Sequence, residues 1–252
     1  MSTITFNINS SVGEEVKYVI AGAGDIVGGD VKGVSGKVTL NPTATASGSY
    51  TFAVALYDST LFLSKNATTM TVQCKLNGTT WTYVGSTPDP FEQYRGWQVT
   101  ASSAAGGISL KVTPRAAIKP TKMVNVTFKI GEYPKDSGFT KTSMRYLVSG
   151  MGSTAWIDTE PSFWTILPLT LPLPATEKGG TFDINVIMCA HQKGDKSVFY
   201  AFNGSVSLVF DLEKQTYTAT KLNLDPYAHN LPVALSPNMP ANTIEINILQ
   251  AA

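Results

Sequence analysis

Charged side chains are scarce in this chain. Of its 252 residues only 15% are charged, and the net charge is +1, whereas a typical soluble protein has roughly 25% charged residues. The three arginines stand far apart, at positions 95, 115 and 145. Nucleic-acid binding relies on clustered Lys and Arg, so this distribution argues against a nucleic-acid partner.

Cysteine and histidine are nearly absent, with two of each in the chain, Cys74, Cys189, His191 and His229. Two cysteines at unrelated positions do not make a disulfide framework. Cys189 and His191 share one face of a predicted strand, but no acidic residue stands beside them to complete a nucleophile–base–acid arrangement. The sequence therefore predicts neither an enzyme nor a bound cofactor or metal.

Two weaker patterns remain as alternatives. The glycine-rich residues 22–28 follow an apolar strand, but a dinucleotide-binding loop needs a helix next, and residues 29–34 are poor helix formers. The carboxylates of Asp25, Asp30 and Asp58 suit calcium if they line the same end of a sheet. A glycine-rich loop leaving a strand explains the first pattern more simply.

Long hydrophobic runs are also missing. The chain has no stretch of about 18 apolar residues, so no transmembrane helix is predicted. Residues 1–11 alternate polar and apolar types, unlike a signal peptide. We expect a protein made in the cytoplasm and released, if at all, by lysis or a non-classical route.

What the chain does contain is strand-like sequence. Short runs of β-branched and aromatic residues recur every 8–15 residues between Gly, Pro, Asn and Asp, and helical spacing is rare. This pattern is typical of an all-β sandwich. We predict antiparallel β-sandwiches of immunoglobulin-like or jelly-roll-like topology.

Parts of the sequence occur twice. Residues 16–24 resemble residues 144–152, residues 51–54 resemble 181–184, and the Asp-Pro-aromatic triplet at 89–91 returns at 225–227. Such repetition predicts two tandem domains related by internal duplication. We place the N-terminal sandwich at residues 1–133, a linker at 134–140 and the C-terminal sandwich at 141–252. Alternating strands at 124–128 and 244–248 serve as the matching last strands.

A hairpin is predicted at Asn77-Gly78, a strong signal for a two-residue type I′ turn. That turn places Cys74 opposite Trp81. The two Asp-Pro dipeptides, at positions 89–90 and 225–226, are 136 residues apart. Adding 136 to the numbers of Cys74 and Trp81 gives Phe210 and Tyr217 as their counterparts in the second repeat. The second hairpin lacks the turn residues and should have a looser loop.

Residues 161–174 are rich in Leu and Pro. In the predicted strand the leucines share one face, while Pro168, Pro172 and Pro174 fall on the alternate positions. Proline cannot donate a backbone hydrogen bond, so the segment predicts an edge strand closed to further pairing.

Aromatic residues outside the clearest strands are the candidate binding residues. Exposed aromatics at loop ends often mark surfaces that bind sugars, lipids or proteins, although the same rings could plug the ends of the sandwiches. The candidates are Trp97, Trp156, Phe163, Trp164 and Tyr227.

The uncharged segment from Val38 to Tyr57 allows a second interpretation. It is long enough for two transmembrane β-strands of about 9–11 residues each, as in a pore-forming hairpin. Pro42 and Gly48 weaken this interpretation, and a pair of ordinary sandwich strands is the simpler prediction.

These observations favour non-enzymatic recognition or assembly by a protein of bacterial or phage type. The first hypothesis is binding to a cell-surface glycan, lipid or receptor, as in a β-sandwich toxin or a lectin-like module. The alternative is a structural subunit that binds copies of itself in a particle, filament, phage or crystalline inclusion.

Overall fold

The chain folds into β-strands arranged in four sheets. The computed structural model describes residues 2–58, 66, 68–130, 142–148, 155–159, 169–192, 195–225 and 233–249. The strands are β1 Ile4–Ser10, β2 Val16–Gly22, β3 Asp25–Val31, β4 Ser35–Leu40, β5 Gly48–Tyr57, β6 Thr68–Asn77, β7 Thr80–Pro88, β8 Trp97–Ala104, β9 Gly107–Pro114, β10 Met123–Ile130, β11 Thr142–Val148, β12 Ala155–Thr159, β13 Leu169–Pro174, β14 Gly180–Gln192, β15 Asp195–Asp211, β16 Thr216–Leu224, β17 Val233–Leu235 and β18 Thr243–Ile248.

The strand order of β10–β18 repeats that of β1–β9. The four-stranded sheets have the orders β4-β1-β9-β8 and β13-β10-β18-β17. The five-stranded sheets have the orders β3-β2-β5-β6-β7 and β12-β11-β14-β15-β16. The recurring segments at 51–54 and 181–184 both lie in the central strand of a five-stranded sheet, β5 and β14.

The all-β prediction is confirmed, but the sheets are not purely antiparallel. β1 runs parallel to β9, and β10 runs parallel to β18. In an immunoglobulin fold the first two strands share one sheet, and jelly rolls are likewise antiparallel; here β1 and β2 lie in different sheets. Parallel neighbours require a long connection, and all of β2–β8 supplies the one between β1 and β9.

The expected position of β10 needs correction. We matched β10 to β18 as the last strands of two units, but the two strands pair with each other, with Phe128 opposite Ile244. Phe6 of β1 lies opposite Ile108 of β9 in the same way. By its place in the strand order β10 corresponds to β1, and the sheet partners change between β9 and β10. The expected linker, 134–140, lies outside the described residues.

Each pair of sheets encloses one apolar core. Alternating residues of β1, β4, β8 and β9 pack against β2, β3, β5 and β6, and Phe6, Phe52 and Leu110 are among the fully buried side chains. The second core joins β10, β13, β17 and β18 to β14, β15 and β16. Alternation of apolar and polar residues produces this arrangement because successive side chains point to opposite faces of a strand.

A third, smaller cluster lies between the two five-stranded sheets. It joins the outer faces of β2 and β5 to Ile187 of β14. Ala53 and Ala55 are buried there although they point away from the first core. Small side chains allow the sheets to approach closely, so the two five-stranded sheets face each other. The cluster consists of Val19, Ala21, Ala53, Ala55, Tyr57 and Ile187, with Ile26 beside it.

The two hairpins differ in register. In the first, Trp81 lies opposite Leu76 and not opposite Cys74 as predicted. The loop residues are Gly78 and Thr79, and Gly78 has φ 61°, which matches a type II′ turn with glycine in the first loop position and not the predicted type I′ turn.

The second hairpin agrees with its prediction. Phe210 lies opposite Tyr217, and a four-residue loop joins Asp211 to Thr216. Each hairpin also has a β-bulge, which leaves Val84 unpaired in β7 and Thr220 unpaired in β16. These two residues are 136 positions apart, the same spacing as the two Asp-Pro dipeptides.

The proline-containing strand is described from Leu169 to Pro174, and Pro168 lies outside the described residues. Among the described strands, β13 pairs with β10 alone and forms an edge of its sheet. Pro172 and Pro174 occupy alternate positions, and Leu173 between them is fully buried in the second core. A proline in an edge strand has no backbone N–H to donate to a further strand.

One residue of the first half belongs to the second core. Phe91 follows β7, yet it is 1% exposed and packs with residues of β10–β18. Its ring stacks on Phe182 with centroids 5.2 Å apart and meets Tyr217 edge-on at 6.4 Å. In the first core the ring beside Trp81 is Tyr50, which lies opposite Cys74. The corresponding position opposite Phe210 is Gly180, and Phe91 supplies the missing ring.

A buried ion pair holds the segment that carries Phe91. Asp89 accepts hydrogen bonds from the Phe91 backbone N–H (2.8 Å) and from the Arg95 guanidinium (3.1 Å). Both charged side chains are almost completely buried. Burial lowers the pKa of Arg95, while Asp89 and Glu92 oppose that shift. Each charge of such a pair needs its partner, because a buried charge left unpaired is strongly destabilising.

We predict that Phe91→Ala lowers the free energy of unfolding by about 3–5 kcal/mol, the usual cost of removing a buried phenylalanine ring. Chemical denaturation measures the change. Phe91→Leu serves as the matched control and should lose less, because it keeps most of the apolar volume. A change below about 1 kcal/mol for Phe91→Ala would contradict the assignment of this ring to the second core.

Candidate functional site

A polar cleft opens between the two five-stranded sheets, beyond the small apolar cluster. Its volume is about 210 Å³. One wall is formed by β5 and β6, the other by β14, β15 and β16 with the residue after β16. The lining residues are Ser49, Tyr50, Thr51, Ala53 and Thr71 on the first wall and Asn185, Gly204, Ser205, Asn223, Leu224 and Asp225 on the second.

The second wall is an ordered hydrogen-bond network. Asn185, Ser205 and Asn223 lie directly opposite one another on three neighbouring strands. The Asn223 amide donates to the Ser205 hydroxyl (3.2 Å) and to the Ser207 hydroxyl (3.1 Å). Ser207 in turn donates to Asp183 at 2.5 Å. This network holds the Asn223 side chain in one orientation.

The network leaves specific groups for a ligand. Both amide donors of Asn223 are directed to serines, so its carbonyl oxygen is the group left to accept. Ser205 accepts from Asn223, which leaves its hydroxyl proton to donate. The second wall therefore offers one donor and one acceptor side by side, on strands about 4.8 Å apart.

The first wall adds hydroxyl groups. The side chains of Ser49, Thr51 and Thr71 make no hydrogen bond to another described residue. A hydroxyl both donates and accepts. Tyr50 also lines the cleft, but its side chain is buried and its hydroxyl donates to the Ala46 carbonyl at 2.5 Å. The wall thus presents small neutral polar groups and no exposed aromatic platform.

Sequence reasoning missed this cleft. The available signal was weak: Ser205 and Ser207 alternate with buried Val206 and Leu208, which marks a polar outer face of β15 but not what that face meets. The opposing wall comes from β5, about 150 residues earlier in the chain. A contact over such a distance leaves no local pattern in a single sequence.

The predicted binding aromatics do not converge on a described site. Trp97 begins β8 and is only 3% exposed, packed in the first core; the expectation of an exposed ring at a loop end is wrong for this residue. Trp156 lies in β12 opposite Leu147, and only its backbone is described. Phe163, Trp164 and Tyr227 lie outside the described residues.

The proposed membrane-active segment is divided between two sheets. Val38 lies in β4, whereas Tyr57 ends β5, and these strands belong to different sheets of the first core. Both side chains are buried. β4 and β5 therefore do not pair with each other as a hairpin. Within the described part of the chain, no helix has the length and hydrophobicity to span a bilayer.

The three aspartates considered for calcium are engaged separately. Asp25 accepts backbone hydrogen bonds from Ile26 and Asn41, and Asp30 pairs with Lys17. Asp58 accepts from Asn66. Across the described ranges, no three acidic, histidine or cysteine residues cluster in a way that could hold a metal ion.

Comparison with known proteins gives no assignment. No family model matches the sequence, and no curated protein matches it. Among solved structures, the C-terminal fragment of the pilus adhesin SpaC from Lactobacillus rhamnosus GG aligns at 13% identity with a TM-score of 0.25, covering 98% of this chain and 96% of that chain. The longer SpaC structure in its open conformation aligns at 13% identity and a TM-score of 0.26, covering 97% of this chain and 31% of that chain. At these scores the likeness carries no argument about fold or function.

Cys74 is placed as a structural residue. It is fully buried in the first core, and burial raises its pKa to about 12. Nucleophilic cysteines need the thiolate at neutral pH.

In a Cys189→Ser variant, which leaves Cys74 as the single thiol, we predict that Ellman's reagent at pH 8 reacts on the order of 10³-fold more slowly with folded than with urea-unfolded protein. Equal rates in the two states would contradict this placement.

Proposed function

We propose that this chain is a non-enzymatic recognition protein that binds a neutral glycan of a cell surface in the cleft between the five-stranded sheets. The observation that carries the proposal is the cleft lining. It combines three hydroxyls without described partners on one wall with the oriented Ser205–Asn223 pair on the other. Among the described lining residues none is lysine or arginine, and the one charged residue is Asp225, at the end of the second wall.

The chemistry of the lining fits a sugar. A sugar ring carries several hydroxyls, each of which donates and accepts, and it therefore pairs best with groups that do both. The volume of about 210 Å³ is below the roughly 300–1,000 Å³ of sites for drug-sized ligands. It suits one sugar ring of a glycan chain whose remainder extends into solvent.

The proposal includes two duplicated sandwiches. It is supported by the repeated strand order and by the matched parallel pairs, Phe6 opposite Ile108 and Phe128 opposite Ile244. On this basis we place the division between the units at residues 115–122, between β9 and β10. The buried Phe91 joins them, so the cleft between their five-stranded sheets keeps a fixed width.

Glycan-array screening followed by calorimetry tests the proposal. We predict binding to neutral glycans, and a roughly fivefold loss of affinity for Ser205→Ala and for Thr51→Val, since one hydrogen bond is worth about 1 kcal/mol. These variants alter opposite walls of the cleft. The matched control is Asn125→Ala, an exposed position on the outer face of β10.

Two results would overturn the proposal. One is the absence of binding on an array that includes the principal neutral surface glycans. The other is binding that neither wall variant weakens, because a ligand held between the sheets must contact both walls. Circular dichroism of each variant establishes that the loss of affinity is not a loss of fold.

A structural subunit is the second candidate function. It is favoured by the outer face of the sheet β13-β10-β18-β17, where Thr170, Thr127 and Thr243 lie directly opposite one another on three strands. Thr5 and Thr39 form the corresponding pair in the other four-stranded sheet. Rows of small hydroxyl side chains of this kind suit stacking between copies.

Self-association separates the two functions. A structural subunit predicts a molecular mass that rises with concentration in light scattering, and Thr127→Lys should suppress it by placing a charge in the middle of the row. A strict monomer at the highest soluble concentration would remove this candidate and leave glycan recognition.

A further inference from the structure

The outer face of the sheet β4-β1-β9-β8 has an unusual composition. Apart from Ala104 and Gly107 at the hairpin end of β8 and β9, every outward side chain can form hydrogen bonds, two are lysines, and none is acidic. Neither Lys37 nor Lys111 forms an ion pair with a described carboxylate. The outward residues are Thr5, Asn7, Asn9, Ser35, Lys37, Thr39, Gln98, Thr100, Ser102, Ser109, Lys111 and Thr113.

A shallow hollow of about 260 Å³ lies on this face. It is lined by Asn9, Ser10, Ser11, Ser109 and Lys111. The Asn9 amide donates to the Ser109 hydroxyl oxygen at 3.2 Å, so the Ser109 proton is left to donate outward. Ser10 belongs to the buried face of β1, and the Ser11 hydroxyl donates to the Val112 carbonyl. The hollow therefore combines the Lys111 ammonium with the Ser109 hydroxyl donor, groups of the kind that hold an oxyanion.

The second half of the chain offers an internal comparison. Asn7 lies opposite Ser109 in the first sheet, and the corresponding pair in the other four-stranded sheet is Lys129 opposite Glu245. The Lys129 ammonium meets the Glu245 carboxylate at 2.5 Å. The equivalent of Lys111 is Asn247. The second unit thus pairs its lysine with a glutamate at positions where the first unit has Asn7 and Ser109, and the lysine of the first unit, Lys111, stands two residues further along β9 with no acidic residue opposite it.

We propose that the hollow at Asn9, Ser109 and Lys111 binds an oxyanion, a sulfate or carboxylate group, carried on an acidic polysaccharide. The polymer assignment follows from the extent of the face. Lys37 lies two strands away from Lys111, about 10 Å across the sheet, with Asn7 and Asn9 between the two. A polymer with repeated anionic groups reaches both ammonium groups, whereas a single free anion reaches one. This site is separate from the cleft between the five-stranded sheets.

Binding of dextran sulfate, with unsubstituted dextran as the matched neutral polymer, tests the inference. We expect the wild-type chain to bind dextran sulfate and not dextran, with affinity falling as salt rises because exposed charge pairs are screened. Ser109→Glu places a carboxylate in the hollow two residues from Lys111 and should weaken binding roughly tenfold, and Lys111→Gln should act in the same direction.

The matched control is Thr82→Glu on the exposed part of β7, which changes the net charge by the same amount on a different sheet. Equal weakening by Ser109→Glu and Thr82→Glu would overturn the inference, because it would show attraction by net charge alone. Binding of dextran as tight as that of dextran sulfate would overturn the assignment of an anionic ligand. Full displacement by sodium sulfate at the same total sulfate concentration would overturn the polymer assignment.

Discussion

The rest of the structure depends on the aromatic contact between Phe91 and the second core. The Phe91 ring projects from the connection after β7 and packs beside Phe182 and Tyr217. It fills the space that Gly180, which has no side chain, leaves next to them. Burial of a phenylalanine side chain contributes about 1.5–3 kcal/mol, and aromatic pairs add about 0.5–1.5 kcal/mol. The contact also fixes direction, since Asp89 and Arg95 hold the segment by a buried ion pair that tolerates little displacement.

The contact determines where a ligand can bind. When the two halves are joined, the outer faces of the five-stranded sheets lie against each other. The side chains on these faces determine where the space between the two sheets is filled and where it stays open. Ala53, Ala55 and Ile187 close one part of it. Further along the same strands, Thr51 faces a wall of Ser205 and Asn223, and the gap becomes a polar cleft. The same two sheets therefore provide both an apolar contact between the two halves and a candidate recognition site.

Local sequence patterns predicted the strands and their faces. The proline-rich edge strand, the burial of Leu173 and the looser second hairpin all follow from residues close together in the chain. The sheet to which each strand belongs did not follow from these local patterns. Alternation shows that a strand has one buried face but not which sheet it joins, so β10 was matched with β18 although the two pair with each other. The burial of Trp97 was not predicted for a related reason. A single large residue at the end of a strand gives no alternation from which its buried or exposed side could be inferred.

A double-mutant cycle with Phe91→Ala and Phe182→Ala tests the central contact most directly, because Phe91 precedes β10 and Phe182 belongs to β14, across the two halves of the chain. The unfolding free energies of the two single variants and the double variant give the interaction energy. Direct ring stacking predicts a coupling of about 0.5–1.5 kcal/mol. Additive effects within about 0.3 kcal/mol would show that the rings do not meet in solution, and would contradict both the joined arrangement of the two halves and the cleft that depends on it.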